Sequence, residues 1–531
     1  MNKPDDKKTS KTIRSLQNKA KKQDVRALFQ LAGYYKEGKN VDQDLPKADD
    51  YFTQVLALFQ SQSLQISTAK LRSYRCYEQL DIRFSNRYRD KTNLTVIVGD
   101  NGAGKTTILS ALVSGLSWLV GRIRSHSGQG IKLGEQDINN APSAEYATVM
   151  VNFAIKEDLN YEMSLAKAKV ASNVSKSNSF ADIQQLADIY KLANAKDSQF
   201  NFPIMAYYPV ERSIDVGLTD IRQFSQFSEQ KSWGKFEGYE DAFNCAANFK
   251  LFYAWFKHFE DIENEKDNPE HVLLAKLNKL QIERDTLNTL TQAKQGEIQG
   301  QGDEYITSLL ADKNQQIDTL EAQLAGLEQS QRGQTLNWVK KAVTAFMPAF
   351  KCLRIQRSPY PDMLIDKDGV TLSVLQLSQG ERSLLALVGD IARRLVLLNP
   401  SREDPLQGDG VVLIDEIDLH LHPKWQQNVL PNLLNTFPNI QFIVTTHSPQ
   451  VLTTVPNECI RMLTSDGVKI PSIQTLGEES RTTLEDVMQV DSRPKDPMSD
   501  TLKRYLESVN RGDVDSTDVL VMRQSLEQHY G

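Results

Sequence analysis

The sequence predicts an α/β chain, a mixed sheet with flanking helices, carrying an inserted antiparallel helical hairpin and a smaller N-terminal one. Three observations predict it. The apolar run Leu94–Val98 leads into Gly99-Asp100-Asn101-Gly102-Ala103-Gly104-Lys105-Thr106 and then into a helical segment at 108–118. Two further short runs, 411–414 and 442–445, are apolar almost throughout, as in strands buried on both faces of a sheet. Between 270 and 330, leucine and isoleucine recur at alternating steps of four and three, the seam of a coiled coil.

The chain has 531 residues, enough for about three structural units. Its 40% hydrophobic and 24% charged residues are ordinary globular values. The most apolar stretch singled out as a membrane candidate, 384–398, is interrupted by Asp390, Arg393 and Arg394. The N-terminus is polar and lysine-rich with no apolar signal region, so a cytoplasmic protein with no membrane contact is expected. Cys76, Cys245, Cys352 and Cys459 lie too far apart in sequence to form a zinc or redox motif. With 62 basic against 68 acidic residues the net charge is −6, which does not advertise nucleic-acid binding. Residues 1–26 depart from that balance: nine Lys/Arg against three Asp give +6, for either a solvated flexible arm or an arm that touches nucleic acid.

Residues 27–62 carry two apolar helical faces, Ala27, Leu28, Leu31, Ala32 and Tyr35, then Ala48, Tyr51, Phe52, Val55 and Leu56, separated by a break at Gly38. They resemble a single tetratricopeptide-like unit, too small to bury its own apolar side, so it should pack on the body or a partner. From Leu64 the pattern turns to alternation (Leu64, Ile66, Leu80, Ile82, Phe84), with more strand signal at 145–155 and 202–207. Segment 170–200 is too polar and serine-rich to assign. The coiled-coil stripe runs through Leu273, Leu277, Leu280 and Leu287, breaks at Gly296, Gly300 and Gly302, and resumes through Ile306, Leu310, Ile317, Leu320, Leu324 and Leu327. Either a hairpin with a glycine tip or two helices folded onto the body satisfies it. The expected divisions are thus a basic arm at 1–26, a helical hairpin at 27–62, one head lobe at 63–255, the insertion at 256–335, a second lobe at 336–470 and a C-terminal helical segment at 471–531.

The glycine turn matches G-x-x-x-x-G-K-[ST] in the strand–turn–helix context that a phosphate cradle requires. Asn101, Gly102, Ala103 and Gly104 offer backbone N–H groups to an anion, Lys105 reaches the terminal phosphates, and Thr106 and Thr107 open the helix whose N-terminus favours negative charge. Thr106 and Asp415 are the candidate Mg²⁺ ligands, and Glu416 the group that orients the attacking water. His447, at the tip of the next apolar strand, is well placed to contact the last phosphate, although a structural histidine fits as well. Ser378 with Glu381 three residues on forms a capping box, and the same helix start can hold a phosphate.

Taken in order, the P-loop, LSQGE (377–381), VVLIDE (411–416), DLHLHP (418–423) and TTHSPQVL (445–452) resemble the ABC-type ATPases of the SMC, RecF and OLD branch over about 64–465. That resemblance implies an ABC-type P-loop ATPase head that binds ATP and Mg²⁺. It further implies a head-to-tail homodimer around two ATPs, in which Ser378 and Gly380 complete the partner's site, Asp418 crosses between sites and His447 is the switch histidine. More narrowly, YYPVERS (207–213), the segment 236–265 and HPKWQQNVLPNLLNTFPNIQFIVTTHSP resemble the PtuA-like ATPases of Septu and retron antiphage systems. Their partners, so implied, are an HNH nuclease of the PtuB kind and, for retron forms, a reverse transcriptase with its RNA–DNA product. Departures from the pattern are a Q-loop glutamine that cannot be placed beyond Gln184 or Gln185, and a hairpin tip without the cysteine of a zinc hook. Only 84 residues follow His447, and Asp513-Val514-Asp515 lies between helical patterns, so no nuclease chemistry is expected in this chain. The expectation is a slow, antiphage ATPase that gates a nuclease. A RecF-like repair clamp on DNA and a scaffold with a purely structural ATP dimer are the alternatives.

Overall fold

The protein is described by a computed structural model over residues 11–60, 63–85, 87, 92–156, 159–170, 176–210, 233–243, 249–264, 276–277, 279–281, 283–284, 310–311, 313–320, 335–490 and 496–531. Three helices come first, α1 (Lys11–Ala20), α2 (Val25–Glu37) and α3 (Leu45–Gln60). Asp24 caps α2 by accepting the Ala27 N–H, and Gly38 ends it in the left-handed region at φ 69°. The basic arm is therefore shorter than expected. Residues 11–20 form a helix because Ile13, Leu16 and Ala20, three and four apart, give it an apolar stripe that is buried in the core. The remaining part of the expected arm, 1–10, lies outside the described residues.

These helices rest on the body. Arg26 of α2 pairs with Asp182 at 2.9 Å and lies 4.5 Å above the Tyr161 ring, and Phe59 of α3 meets Tyr190 edge-on. Strands β1 (Gln65–Tyr74), β2 (Tyr77–Arg83), β4 (Tyr146–Lys156) and β5 (Leu159–Ala168) form an antiparallel sheet in the order β2-β1-β4-β5. A second sheet takes β3 (Leu94–Val98), β6 (Ile204–Tyr208), β10 (Gly410–Ile414), β11 (Ile440–Thr445), β12 (Ile460–Thr464) and β13 (Gly467–Lys469) in the order β13-β12-β3-β11-β10-β6. All its pairings are parallel except β12 with β13. A small antiparallel sheet joins β7 (Phe350–Gln356), β8 (Asp362–Lys367) and β9 (Val370–Ser373).

Helix α4 (Lys105–Arg124) touches β4 and β5 of the first sheet and β6 of the second. By length and composition it could cross a membrane, which 384–398 could not, but most of it is buried inside the protein. Segment 181–196, left unassigned from sequence, is helix α5 (Ala181–Lys196). Helix α6 (Phe249–Asn264) runs across the boundary expected between 255 and 256. Its Phe252, Tyr253, Trp255 and Phe256 are all fully buried, so the head extends past that point. Of the insertion, Leu277 and Ile317 pack together with Leu280 and Leu320 beside them, and Lys313 pairs with Glu283 at 2.7 Å. Numbers that rise along one arm as they fall along the other are those of an antiparallel pair. Leu273, Leu287, Ile306, Leu324, Leu327 and the glycine tip lie outside the described residues.

Helices α7 (Thr335–Phe346) and α8 (Gln379–Leu398) return the chain to the head. In α8, Asp390 takes two bonds from Arg393 at 3.0 and 2.7 Å, one from Arg394 at 2.7 Å and one from the Tyr208 hydroxyl at 2.8 Å. Arg394 also donates to the carbonyls of Gly238 and Glu240. Burial pushes the Asp390 carboxyl up, but the guanidiniums of Arg394 and Arg393 outweigh it and hold it at about 2. Its ionised form is thus favoured by folding, and the stability it lends above the ordinary carboxylate range is lost as pH falls from about 4 towards 2. Asp390→Ala, which leaves two buried guanidiniums uncompensated, is expected to lower the unfolding free energy by about 3–5 kcal/mol, read from a denaturant titration.

Candidate functional site

Parallel pairing decides where the site lies. Ile97 of β3 is opposite Thr445 of β11, and Val444 is opposite Ile414 of β10, so the three strands end side by side. Gly99, Thr446 and Asp415 begin the loops at that one edge, the usual ligand edge of such sheets.

After β3 the chain turns through Gly102 and Gly104 at φ 83° and 93°, conformations that residues with a Cβ rarely adopt, and enters α4. Lys105 is nearly buried, and its ammonium donates to the carbonyls of Gly99 at 2.8 Å and Asp100 at 3.0 Å. Burial lowers its pKa, while Glu416, Asp415, Asp100 and Asp418 pull it back up without restoring it. An incoming triphosphate therefore competes with the loop's own carbonyls for this ammonium.

Thr106 donates its hydroxyl to Asp415 at 2.8 Å, and Thr445 donates to the other Asp415 oxygen at 2.5 Å. Thr445 in turn accepts the Glu416 N–H at 2.7 Å, so one hydroxyl orients both acids. Glu416 is held at φ 45°, a left-handed conformation of the kind that a non-glycine residue keeps mostly where function demands it. The Thr106 hydroxyl beside the Asp415 carboxylate is a hard-oxygen pair that fits Mg²⁺, which takes one or two protein oxygens and fills its shell with water and phosphate. When bound, the ion would neutralise charge on the phosphates.

Asp418 points elsewhere. One of its oxygens accepts the Thr446 hydroxyl at 2.5 Å and the His447 N–H at 3.3 Å, tying the two loops of the same chain together. Ser448 donates to Gln426, and Gln426 donates to the Leu421 carbonyl, closing the loop 418–426 onto the strand end.

The remaining candidates stand apart. Ser378 caps α8, its hydroxyl donating to Glu381 at 3.0 Å, and Lys367 pairs with the same carboxylate at 2.7 Å. Burial pushes Glu381 up, but the bonds from Lys367 and Ser378 outweigh it and leave its pKa below the ordinary value. A Cβ on Gly380 would come within 2.5 Å of the His420 carbonyl, so that position admits only glycine. Among the described residues no hydrogen bond joins Ser378 or Gly380 to the loop 99–107. Gln184 is no neighbour of the phosphate cradle. It bonds Arg122 in the last turn of α4 and Asp188 on its own helix, and Arg122 lies about 25 Å along α4 from Lys105. Gln185 shares α5 with it.

Sequence reading missed Thr445, Thr446, Gln426 and Tyr77. The Tyr77 hydroxyl donates to the Ala103 carbonyl at 2.6 Å, and the Cys76 sulfur lies 3.8 Å from the Thr107 hydroxyl, so the β1–β2 turn lies over the cradle. Cys76, Cys352 and Cys459 are free thiols, and Cys245 lies outside the described residues.

A glycine cradle with its lysine, a threonine–aspartate pair and an adjacent glutamate are the parts of a P-loop ATPase. Residues 65–452 match the AAA ATPase domain family, and the chain belongs to it. It is 37% identical to the probable ATPase of retron Ec83 from Escherichia coli, over 95% of this chain and 90% of that one. To the probable ATPase of retron Vc95 from Vibrio cholerae serotype O1 biovar El Tor it is 32% identical over 98% of both. A shorter match, 48% over 73 residues, covers 14% of this chain and 10% of the Septu protein PtuA of Bacillus mycoides strain KBAB4. The chain is an ATPase of the retron and Septu-like defence kind.

Two substitutions test the cradle. In Gly104→Ala the new methyl would lie 2.5 Å from the Tyr77 oxygen and 2.6 Å from the Cys76 sulfur, so binding of a fluorescent ATP analogue should be lost. Tyr77→Phe removes only the bond to Ala103 and should weaken the analogue by about fivefold, the worth of one ordinary hydrogen bond.

Proposed function

We propose that this ATPase works as a homodimer closed around two ATPs and that closure controls a separate HNH nuclease. Support comes from the half-built site. One edge of the sheet gathers Lys105, Thr106, Asp415 and Glu416, while Ser378 at the head of α8 is held by Glu381 and, among the described residues, has no hydrogen bond to the loop 99–107. A second copy brings the missing face. Its Ser378 hydroxyl and the N-terminal turn of its α8 would meet the terminal phosphate that Lys105 holds from the other side.

In that closed pocket Lys105 leaves the carbonyls of Gly99 and Asp100 for phosphate oxygens, and the backbone of Asn101 to Thr107 takes the rest of the charge. Glu416, fixed through Thr445, orients and polarises the water that attacks the last phosphorus. The His447 backbone is bonded to Asp418, so a shift of the loop around 418 at the dimer seam moves the histidine as well. Turnover waits on closure and is therefore slow. The nuclease chemistry belongs to the partner. Here Asp513 and Asp515 are exposed in the turn between α9 (Ser499–Asn510) and α10 (Thr517–Tyr530). A reverse transcriptase and its RNA–DNA product complete the retron form of the assembly, in the cytoplasm.

Complementation is the direct test. Lys105→Ala and Ser378→Arg should each be inactive alone. Mixed, they should regain part of the ATPase rate, because a heterodimer holds one composite pocket with both native residues; two dead proteins that stay dead on mixing would refute the shared site. Glu416→Gln should keep ATP binding, lower turnover by about 10²–10⁴-fold, and accumulate as a dimer in light scattering. If the trapped dimer leaves the co-expressed nuclease unchanged, control by closure is wrong and the scaffold reading stands.

A further inference from the structure

We propose that the outer face of α1 and the turn after it is a nucleic-acid backbone-binding surface, in which Lys11, Arg14, Lys19, Lys21 and Lys22 contact successive phosphates. The inference starts from a division of labour along the helix. Ile13, Leu16 and Ala20 face the core, whereas Lys11, Arg14 and Lys19 are exposed around the opposite side, and Lys21 and Lys22 are exposed in the turn. Between 11 and 23 there is no acidic residue. The next acid after α1, Asp24, spends its carboxylate on the Ala27 N–H.

None of the five cations forms an ion pair among the described residues, in a protein whose net charge is −6 and whose other surface cations pair often. Five like charges in one short segment repel one another and contribute nothing to holding the fold. An external polyanion relieves that repulsion. The spacing suits one: from Lys11 to Lys19 is about 12 Å along the helix, the reach of about four phosphates of one strand at about 3.4 Å each, and Lys21 and Lys22 follow in the turn. Because α1 is anchored through its apolar stripe, the cations are presented on a fixed surface, and binding costs little ordering of the backbone.

The chemistry of the face selects among polyanions. Its remaining exposed positions, Thr12, Ser15 and Asn18, are polar, and its apolar side is already buried in protein. A helix that lies in a membrane surface needs that apolar side free to enter the lipid. Four of the five cations are lysines, compact point charges that suit phosphate oxygens, so the contact is to backbone and independent of sequence.

The test uses the full chain and two probes, a fluorescein-labelled DNA duplex and an RNA–DNA hybrid of the same sequence, titrated by anisotropy across a potassium chloride series. The logarithm of the binding constant should fall with the logarithm of salt at a slope near −4.5 for about five phosphate contacts. Replacing all five cations by glutamine should flatten that slope and weaken both probes by at least about a hundredfold at low salt, with ATP-analogue binding unchanged because none of the five lies in the nucleotide site. A variant that binds both probes with unaltered slope and affinity overturns the proposal. So does a wild-type chain that ignores both probes, whether or not it adheres to phosphatidylserine vesicles. The outcome does not depend on whether the ATP-bound chain dimerises.

Discussion

Everything chemical in this protein depends on three parallel strands ending at one level. The register of β3, β11 and β10 brings Gly99, Thr445 and Asp415 to a common edge, and the Thr445 hydroxyl then bridges Asp415 to the backbone of Glu416. Two buried or half-buried acids next to a lysine ammonium would be costly if their positions were loose. Here each is fixed by a hydroxyl or an N–H, and the strands that carry them are apolar and buried on both faces. A slip of one residue in the β10–β11 register would move Thr445 away from Asp415 and leave the Glu416 N–H without its acceptor.

The second helix of consequence, α8, is tied to the same edge of that sheet. Its Asp390 accepts the hydroxyl of Tyr208, the last residue of β6, and Tyr208 is opposite Ile414, immediately before Asp415. Its first turn meets the loop after β10, where Gly380 lies against the His420 carbonyl. The capping serine and the acidic pair are thus parts of one mechanically continuous unit: a buried ion cluster at mid-helix, a glycine contact at its start. A side chain at 380 would have to displace a backbone carbonyl, which links the identity of that residue to the path of the loop 418–421.

How much of this could be read from the sequence follows from where the information is stored. β3, β10 and β11 are legible because burial on both faces leaves runs with almost no polar residue, and the glycine turn is legible because its backbone conformation excludes other residues. Thr445 was invisible for a physical reason: nothing in the sequence says that β11 pairs with β10 in the register that puts its hydroxyl on Asp415. Tyr77 was hidden likewise, since its partner, Ala103, is 26 residues away and contributes only a carbonyl. Strand β7 carries exposed Lys351 and Cys352 side by side, and β9 opens on exposed Val370 and Thr371, so these strands give a weak alternation. Helix α1 was different, because its stripe of Ile13, Leu16 and Ala20 is plain at helical spacing. The density of lysine drew the reading towards a solvated arm, and composition outweighed period. Gln184 shows the converse error, a residue type sought for a role without the topology that would place it.

The free chain has settled each half of its proposed anion site on itself. Lys105 is satisfied by two carbonyls of its own loop, and the Ser378 hydroxyl by Glu381, which Lys367 in turn neutralises. Neither group is therefore an open charge waiting for any phosphate that diffuses past. A ligand must exchange several internal bonds at once to win both, and a lone phosphate that reaches only one half recovers only part of what it displaces. In the proposed dimer a triphosphate reaches both halves, because one copy grips it through the cradle while the other offers the head of α8. Selectivity for a complete nucleotide and the need for two copies would then have a single origin, the self-satisfaction of each half when apart. In that proposed dimer the same self-satisfaction would also hold the unliganded chain open, since closing it without a nucleotide would break internal bonds and replace none of them.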